Sequence, residues 1–66
     1  MTITEKELTA IEDELASEQT LITKLKAYSQ MCTDQTLKTK CDEMAQKHQG
    51  HFDKLMSFLN KKEKQP

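Results

Sequence analysis

The sequence predicts an all-α fold, an antiparallel two-helix hairpin that dimerises into a four-helix bundle. Its 66 residues include one glycine and one proline, so the turn residues that a sheet protein needs are missing. Apolar residues recur at intervals of three and four in both halves of the chain. The one credible break is Thr33-Asp34-Gln35, and a connection this short joins antiparallel helices.

The first helix is predicted over residues 5–31. Thr4 and Glu7 have the spacing of a capping box at its start. A seam with heptad-type spacing follows and is predicted to face the second helix: Leu8, Ile11, Leu15, Glu18, Ile22, Leu25, Ser29 and Cys32. Glu18 places a charge in the middle of this seam, and a buried carboxylate needs a partner.

The second helix is predicted over residues 35–61, with Thr33 or Asp34 as its N-cap. Its predicted seam comprises Leu37, Cys41, Met44, His48, His51, Leu55 and Phe58. A second apolar row beside the seam contains Ala45, Phe52 and Leu59. A stripe this wide exceeds what one partner helix covers, which predicts a homodimer. Residues 1–66 form a single domain in this interpretation, with a frayed, lysine-rich tail at 62–66.

The composition argues against several classes of partner. All ten basic residues are lysines and the net charge is −1, which disfavours specific nucleic-acid recognition. No apolar run has the length of a membrane span, and the N-terminus lacks a basic export signal, so we expect no membrane partner and a cytoplasmic site of synthesis. Cys32 and Cys41 are expected to be reduced, and their seam partners lie near residues 35 and 26, so no disulfide is predicted within one hairpin. The alternative for these cysteines is cross-linking between chains in an oxidising assembly.

The two histidines of the chain point to a possible metal site. Folding the hairpin at residues 33 and 34 sets Glu18 level with position 49, between His48 and His51. Imidazole and carboxylate groups suit a divalent ion such as Zn, Fe, Ni, Cu or Mn. Three other interpretations stay open: a hydrogen-bonded Glu–His network that fixes the register of the hairpin, a seam that splays enough to admit water, and a metal site without a physiological role.

The single carboxylate of this cluster argues against catalysis. A ferritin-like di-iron centre takes a glutamate from each of two helices and a Glu-x-x-His motif from each of the other two. Here His48 stands three residues before His51, where that motif has a glutamate. The set lacks the oxygen ligands that oxidase chemistry requires, so it predicts a site that holds a metal rather than an enzyme.

Several segments resemble small spore-coat-like proteins of Gram-positive spore formers. The similar segments are Ser17-Glu18-Gln19, the Cys32-Thr33-Asp34 turn, residues 46–52 and Phe58-Leu59-Asn60. These proteins look like a shortened relative of the ferritin-like hairpin, and the resemblance covers roughly residues 8–60. It implies a coat-associated structural protein made in the mother cell, with other coat proteins as partners. It also implies a ligand role for Glu18 and His51, while His48 departs from the ferritin-like pattern.

Two functional hypotheses follow from the sequence. The first is a non-catalytic structural protein of the spore-coat type that acts as a homodimeric helical bundle. The alternative is a small ferritin-like metal-binding module that uses Glu18, His48 and His51 in the bundle core.

Overall fold

The computed structural model describes residues 3–64, with side chains described through residue 60. This part of the chain forms two helices and no β-strand: α1 spans Glu5–Met31 and α2 spans Gln35–Lys64. The helices pack along each other in an elongated body of 50 × 16 × 11 Å. Neither helix contains an apolar stretch long enough to cross a membrane. The predicted all-α hairpin is confirmed, while the pairing of two hairpins stays a prediction.

The predicted capping box forms at the start of α1. The Thr4 hydroxyl accepts a hydrogen bond from the Glu7 N–H at 3.1 Å, and the Glu7 carboxylate accepts one from the Thr4 N–H at 2.9 Å. The hydrogen bond from the Thr4 backbone, followed by that from its side chain, lowers the pKa of Glu7. Because this pKa is lowered in the folded chain, the contribution of Glu7 is present at neutral pH. It is lost on acidification through the lowered pKa.

A three-residue connection over 32–34 reverses the chain. The Cys32 N–H closes α1 by donating to the Tyr28 carbonyl at 2.9 Å. Of the two predicted N-caps, Asp34 performs the role, since its carboxylate accepts from the Leu37 N–H at 2.9 Å. The far end of α2 lies at Lys64 rather than near residue 61. The frayed tail predicted at 62–66 falls partly on this helix and partly on residues 65 and 66, which lie outside the described range.

The seam of α1 is confirmed at every predicted position. Its five central members are buried: Leu15, Glu18, Ile22, Leu25 and Ser29. Leu8, Ile11 and Cys32, nearer the ends, are half-buried. The alternating spacing therefore identified correctly the face that α1 turns toward α2.

The prediction of the α2 seam is wrong at four positions. Leu37, Met44 and Phe58 are exposed, and so is His51. Three predicted positions do turn toward α1: Cys41, His48 and Leu55. They are joined there by Lys38, Ala45, Phe52 and Leu59. Ala45 is the most buried apolar residue of the described chain, at 4% exposure. Its small side chain lets the two backbones approach closely. The row that contains Ala45 therefore packs against α1, and the row that contains Leu37 and Met44 does not.

The exposed residues of α2 share one side of the hairpin with two residues of α1. Three exposed residues of α2 each directly precede a seam residue from which the next seam residue is three positions on: Leu37, Met44 and His51. In α1 the same kind of position is held by Leu21 and Tyr28 and, nearer the N-terminus, by the acidic residues Glu7 and Glu14. In an antiparallel helix pair with heptad spacing, these flanking positions lie on the same side. We call Leu21, Tyr28, Leu37, Met44 and His51 the open face.

A polar cluster links the two helices near the turn. Ser29 is 3% exposed, and its hydroxyl donates a hydrogen bond to the Asp42 carboxylate. The Lys38 ammonium group donates to the Ser29 carbonyl at 3.0 Å. These bonds satisfy the buried hydroxyl and hold the first turns of α2 in register with the last turns of α1.

Candidate metal centre

Glu18 lies in the middle of α1 on the face that packs against α2. It is 7% exposed, and its seam neighbours Leu15 and Ile22 are buried as well. Helical spacing fixes this position, because residues three and four apart project from the same side. A carboxylate here has lost most of its water, so its charge must be compensated by groups from α2.

His48 supplies the closest compensation. Its Nδ1 atom lies 2.9 Å from Oε2 of Glu18 and 3.3 Å from Oε1. A carboxylate accepts hydrogen bonds, so in this contact Nδ1 of His48 is the donor. The His48 side chain is 22% exposed, which puts the imidazole at the edge of the seam.

His51 approaches the same carboxylate from farther out. Its Nδ1 atom lies 3.7 Å from Oε2 of Glu18, beyond ordinary hydrogen-bonding distance, and its side chain is 49% exposed. The two imidazole rings meet edge to face, with centroids 5.4 Å apart and an interplanar angle of 89°. The sequence predicted that His51 would lie inside the seam. The structure places it on the open face instead, because α2 turns its Ala45 row inward.

Glu18, His48 and His51 bring three potential metal ligands together. One ligand atom from each residue lies within 4.8 Å of the other two, and no other group of three His, Cys, Asp or Glu residues in the described chain does so. Tetrahedral zinc, with Zn–N distances of about 2.0–2.1 Å, puts its ligand atoms about 3.3 Å apart. All three predicted ligands therefore converge.

Hydrogen bonding inside the hairpin already satisfies Glu18. Among the described residues, no buried side-chain nitrogen or oxygen lacks a hydrogen-bond partner. The bond between Glu18 and His48 is sufficient for that purpose. His51 adds no hydrogen bond to the pair at 3.7 Å, yet it adds the third donor atom that a metal ion would use. The position of His51 is therefore what separates a metal site from a simple Glu–His network.

The two cysteines lie closer to each other than the sequence predicted. Both are free thiols, Cys41 buried and Cys32 half-buried. Burial raises the pKa of the Cys41 thiol, and the adjacent Cys32 thiol and Asp42 carboxylate raise it further. Cys32 caps α1 and Cys41 lies in the second turn of α2, so the short connection brings the thiols together. A protonated, buried Cys41 packs as a small apolar side chain.

Comparison of the chain with protein-family models, with curated proteins and with solved structures found no match. The resemblance to spore-coat-like proteins therefore stays a prediction.

Proposed function

We propose that this chain is a small, non-catalytic metal-binding module that holds a divalent transition-metal ion through Glu18, His48 and His51. The observation that carries the proposal is the convergence of these three donors across the hairpin, within 4.8 Å of one another. One comes from α1 and two come from consecutive turns of α2, so only the folded hairpin assembles the set. Two imidazoles and a carboxylate are borderline ligands that suit Zn, Cu, Ni and Fe.

A holding role fits this donor set better than catalysis. The cluster has one carboxylate, whereas the di-iron sites of helical bundles use four glutamates and two histidines. The site also lies at the edge of a two-helix seam, with the His51 side chain half exposed. Metal-assisted hydrolysis needs a shaped cavity that excludes bulk water, and an edge position does not supply one.

A zinc titration tests the proposal. Protein made without an affinity tag and stripped of metal should bind one Zn²⁺ per chain in isothermal titration calorimetry. At a free zinc concentration one hundred times the dissociation constant, binding should raise the free energy of unfolding by about 2.7 kcal/mol. The affinity should fall on acidification, because protons compete for the imidazoles.

The matched variants are His48→Ala/His51→Ala and, as a control, Gln46→Ala/Lys47→Ala, which replaces exposed residues of the same helix. We expect the histidine variant to lose at least ~100-fold in zinc affinity and the control to keep the wild-type value. Equal affinities in the two variants, or a wild-type melting temperature that chelator leaves unchanged, would contradict the proposal and favour the Glu–His network.

A second candidate function is structural self-assembly, supported by the surface that one hairpin leaves uncovered. A globular protein of 7.6 kDa is expected to expose about 4,300 Å². This hairpin exposes 5331 Å², an excess of about 1,000 Å² over that expectation. A standard interface removes about 800 Å² from each partner, so pairing of two copies would remove an area of this size.

In this second candidate the hairpins pair into a four-helix bundle. The predicted spore-coat setting would supply its location and other coat proteins as partners. Sedimentation equilibrium should give the mass of a dimer at micromolar concentration. A folded monomer under those conditions would contradict self-assembly while leaving the metal proposal intact.

A further inference from the structure

The two thiols of the chain meet at the turn of the hairpin. The Cys32 side chain is a hydrogen-bond partner of the Cys41 thiol. Cys32 is the C-cap of α1, and Cys41 lies in the second turn of α2. Cys41 is 8% exposed, whereas Cys32 is half-buried. The fold therefore forms a dithiol in which one sulfur is sheltered and the other is open to small solutes.

The polar cluster near the turn holds the two segments that carry these thiols. Ser29, three residues before Cys32, donates a hydrogen bond to the carboxylate of Asp42, which directly follows Cys41. The Lys38 ammonium group donates to the Ser29 carbonyl at 3.0 Å, on the other side of Cys41 in the chain. Because these bonds fix the end of α1 against the start of α2, the contact between the thiols is a product of the packed hairpin.

We propose that Cys32 and Cys41 are a redox-modification site, at which exchange with a small disulfide such as oxidised glutathione joins them in a bond that locks the turn. Disulfide geometry is specific, and Cys32 can adjust to it because its backbone is extended and lies outside α1, with φ −70° and ψ 134°. The inference does not depend on the proposed metal-binding function, since neither thiol belongs to that cluster.

The exchange consists of two displacements at sulfur. The Cys32 thiolate first bonds to one sulfur of the small disulfide and expels the other half as a thiolate, which leaves a mixed disulfide on Cys32. Cys41 then loses its proton to water, and its sulfur attacks the Cys32 sulfur and expels the second small thiolate. The protein loses two electrons and two protons, and the small disulfide is reduced to two thiols.

Exposure and acidity set the order of these two steps. Cys32 is the more exposed thiol, so a small disulfide reaches it first. Burial, together with the neighbouring Cys32 thiol and Asp42 carboxylate, raises the pKa of the Cys41 thiol. Since the thiolate is the nucleophile, Cys41 is the slower thiol and completes the bond in the second step.

Redox titration of the whole chain in glutathione buffers tests the site. The oxidised chain should lack the mass of two hydrogen atoms, and trypsin should release residues 27–38 still joined to residues 41–47. The equilibrium constant for forming the bond should be at least ~10-fold larger in the folded chain than in concentrated urea, because folding holds the thiols together. By linkage, the bond should raise the folding equilibrium constant by the same factor.

Two alanine variants separate the roles of the thiols, with circular dichroism as the check that each is helical. Cys41→Ala keeps an apolar side chain in the seam and should stop at the mixed disulfide of Cys32 with glutathione. Cys32→Ala leaves only the buried thiol and should take up glutathione at least ~10-fold more slowly than Cys41→Ala. Equal rates in the two variants would overturn the order of attack.

The titration of the wild type needs no variant and decides the proposal itself. A disulfide between chains at micromolar concentration, in place of the bond within one hairpin, would overturn it. Glutathione on both cysteines with no bond between them would do the same. An equilibrium constant that is no larger in the folded chain than in urea would show that the packed hairpin does not favour the bond, and would also overturn the proposal.

Discussion

Replacing Glu18 with leucine will abolish the metal response while leaving the metal-free hairpin at least as stable as the wild type. Glu18 is 7% exposed between Leu15 and Ile22, so leucine continues an apolar seam. Burying the leucine contributes about 1.5–3 kcal/mol. Loss of the hydrogen bond between Glu18 and His48 costs a similar amount, about 1.5–3 kcal/mol. These two terms cancel to within about 1.5 kcal/mol, and the wild type also bears the cost of burying a carboxylate, so the free energy of unfolding should be unchanged or rise by up to about 1.5 kcal/mol.

The environment of His48, which loses its hydrogen-bond partner in Glu18→Leu, decides whether the free energy of unfolding rises or falls. His48 is 22% exposed, so its Nδ1 can reach water once the carboxylate is gone, and no unpaired polar group is trapped. Urea unfolding at a fixed protein concentration, with and without Zn²⁺, measures both parts of the prediction. The control is Glu12→Leu, the same exchange at an exposed position of α1, which should keep the zinc response. A loss of more than about 1 kcal/mol in metal-free Glu18→Leu would mean that the Glu–His pair is mainly structural.

Local signals predicted the helix boundaries from the sequence. Thr4 and Glu7 form the expected capping box, and Asp34 caps α2 through the Leu37 N–H. Such caps depend on residues within one turn of each other, so the sequence contains all the information that decides them. The seam of α1 was equally clear, because its apolar row is interrupted only by Glu18 and Ser29 and has no competing row along its full length.

The orientation of α2 could not be read from its sequence, because two apolar rows share the same spacing. One row includes Leu37 and Met44, and the other includes Ala45 and Phe52. Which row faces α1 depends on how closely two backbones approach, and that is a property of the packed pair. His48 belongs to the positions common to both orientations, so its contact with Glu18 was predicted correctly. His51 belongs to the row that faces outward, so the prediction that it would be buried was wrong.

The polar cluster at the turn was missed for a related reason. Ser29 was predicted to lie in the seam, and a buried hydroxyl signals a polar partner across the hairpin. That partner, Asp42, lies one position beyond the α2 seam, and Lys38 was not assigned to the seam at all. Rotating α2 onto its Ala45 row brings both side chains to Ser29, so this contact follows from the same packing choice.

The rotation of α2 also predicts which leucines hold the hairpin together. The sequence placed Leu25 and Leu37 in equivalent seam positions, but Leu25 is 7% exposed and Leu37 is 55% exposed. Truncating Leu25 to alanine should lower the free energy of unfolding by about 2–4 kcal/mol through lost burial and an unfilled cavity. A domain of this size has about 3–10 kcal/mol in total, so Leu25→Ala should melt far below the wild type.

Leu37→Ala should behave differently, because Leu37 lies on the open face. In an isolated hairpin a half-exposed leucine contributes little, so the loss at low protein concentration should stay near or below about 1 kcal/mol. If two hairpins pair, as proposed above, and do so through the open face, the loss should grow at high concentration, because stability is then linked to association. The Leu25→Ala deficit arises inside each hairpin and should not grow in this way. Urea unfolding followed by circular dichroism at both concentrations measures the contrast, and equal, concentration-independent losses at the two sites would contradict the assigned orientation of α2.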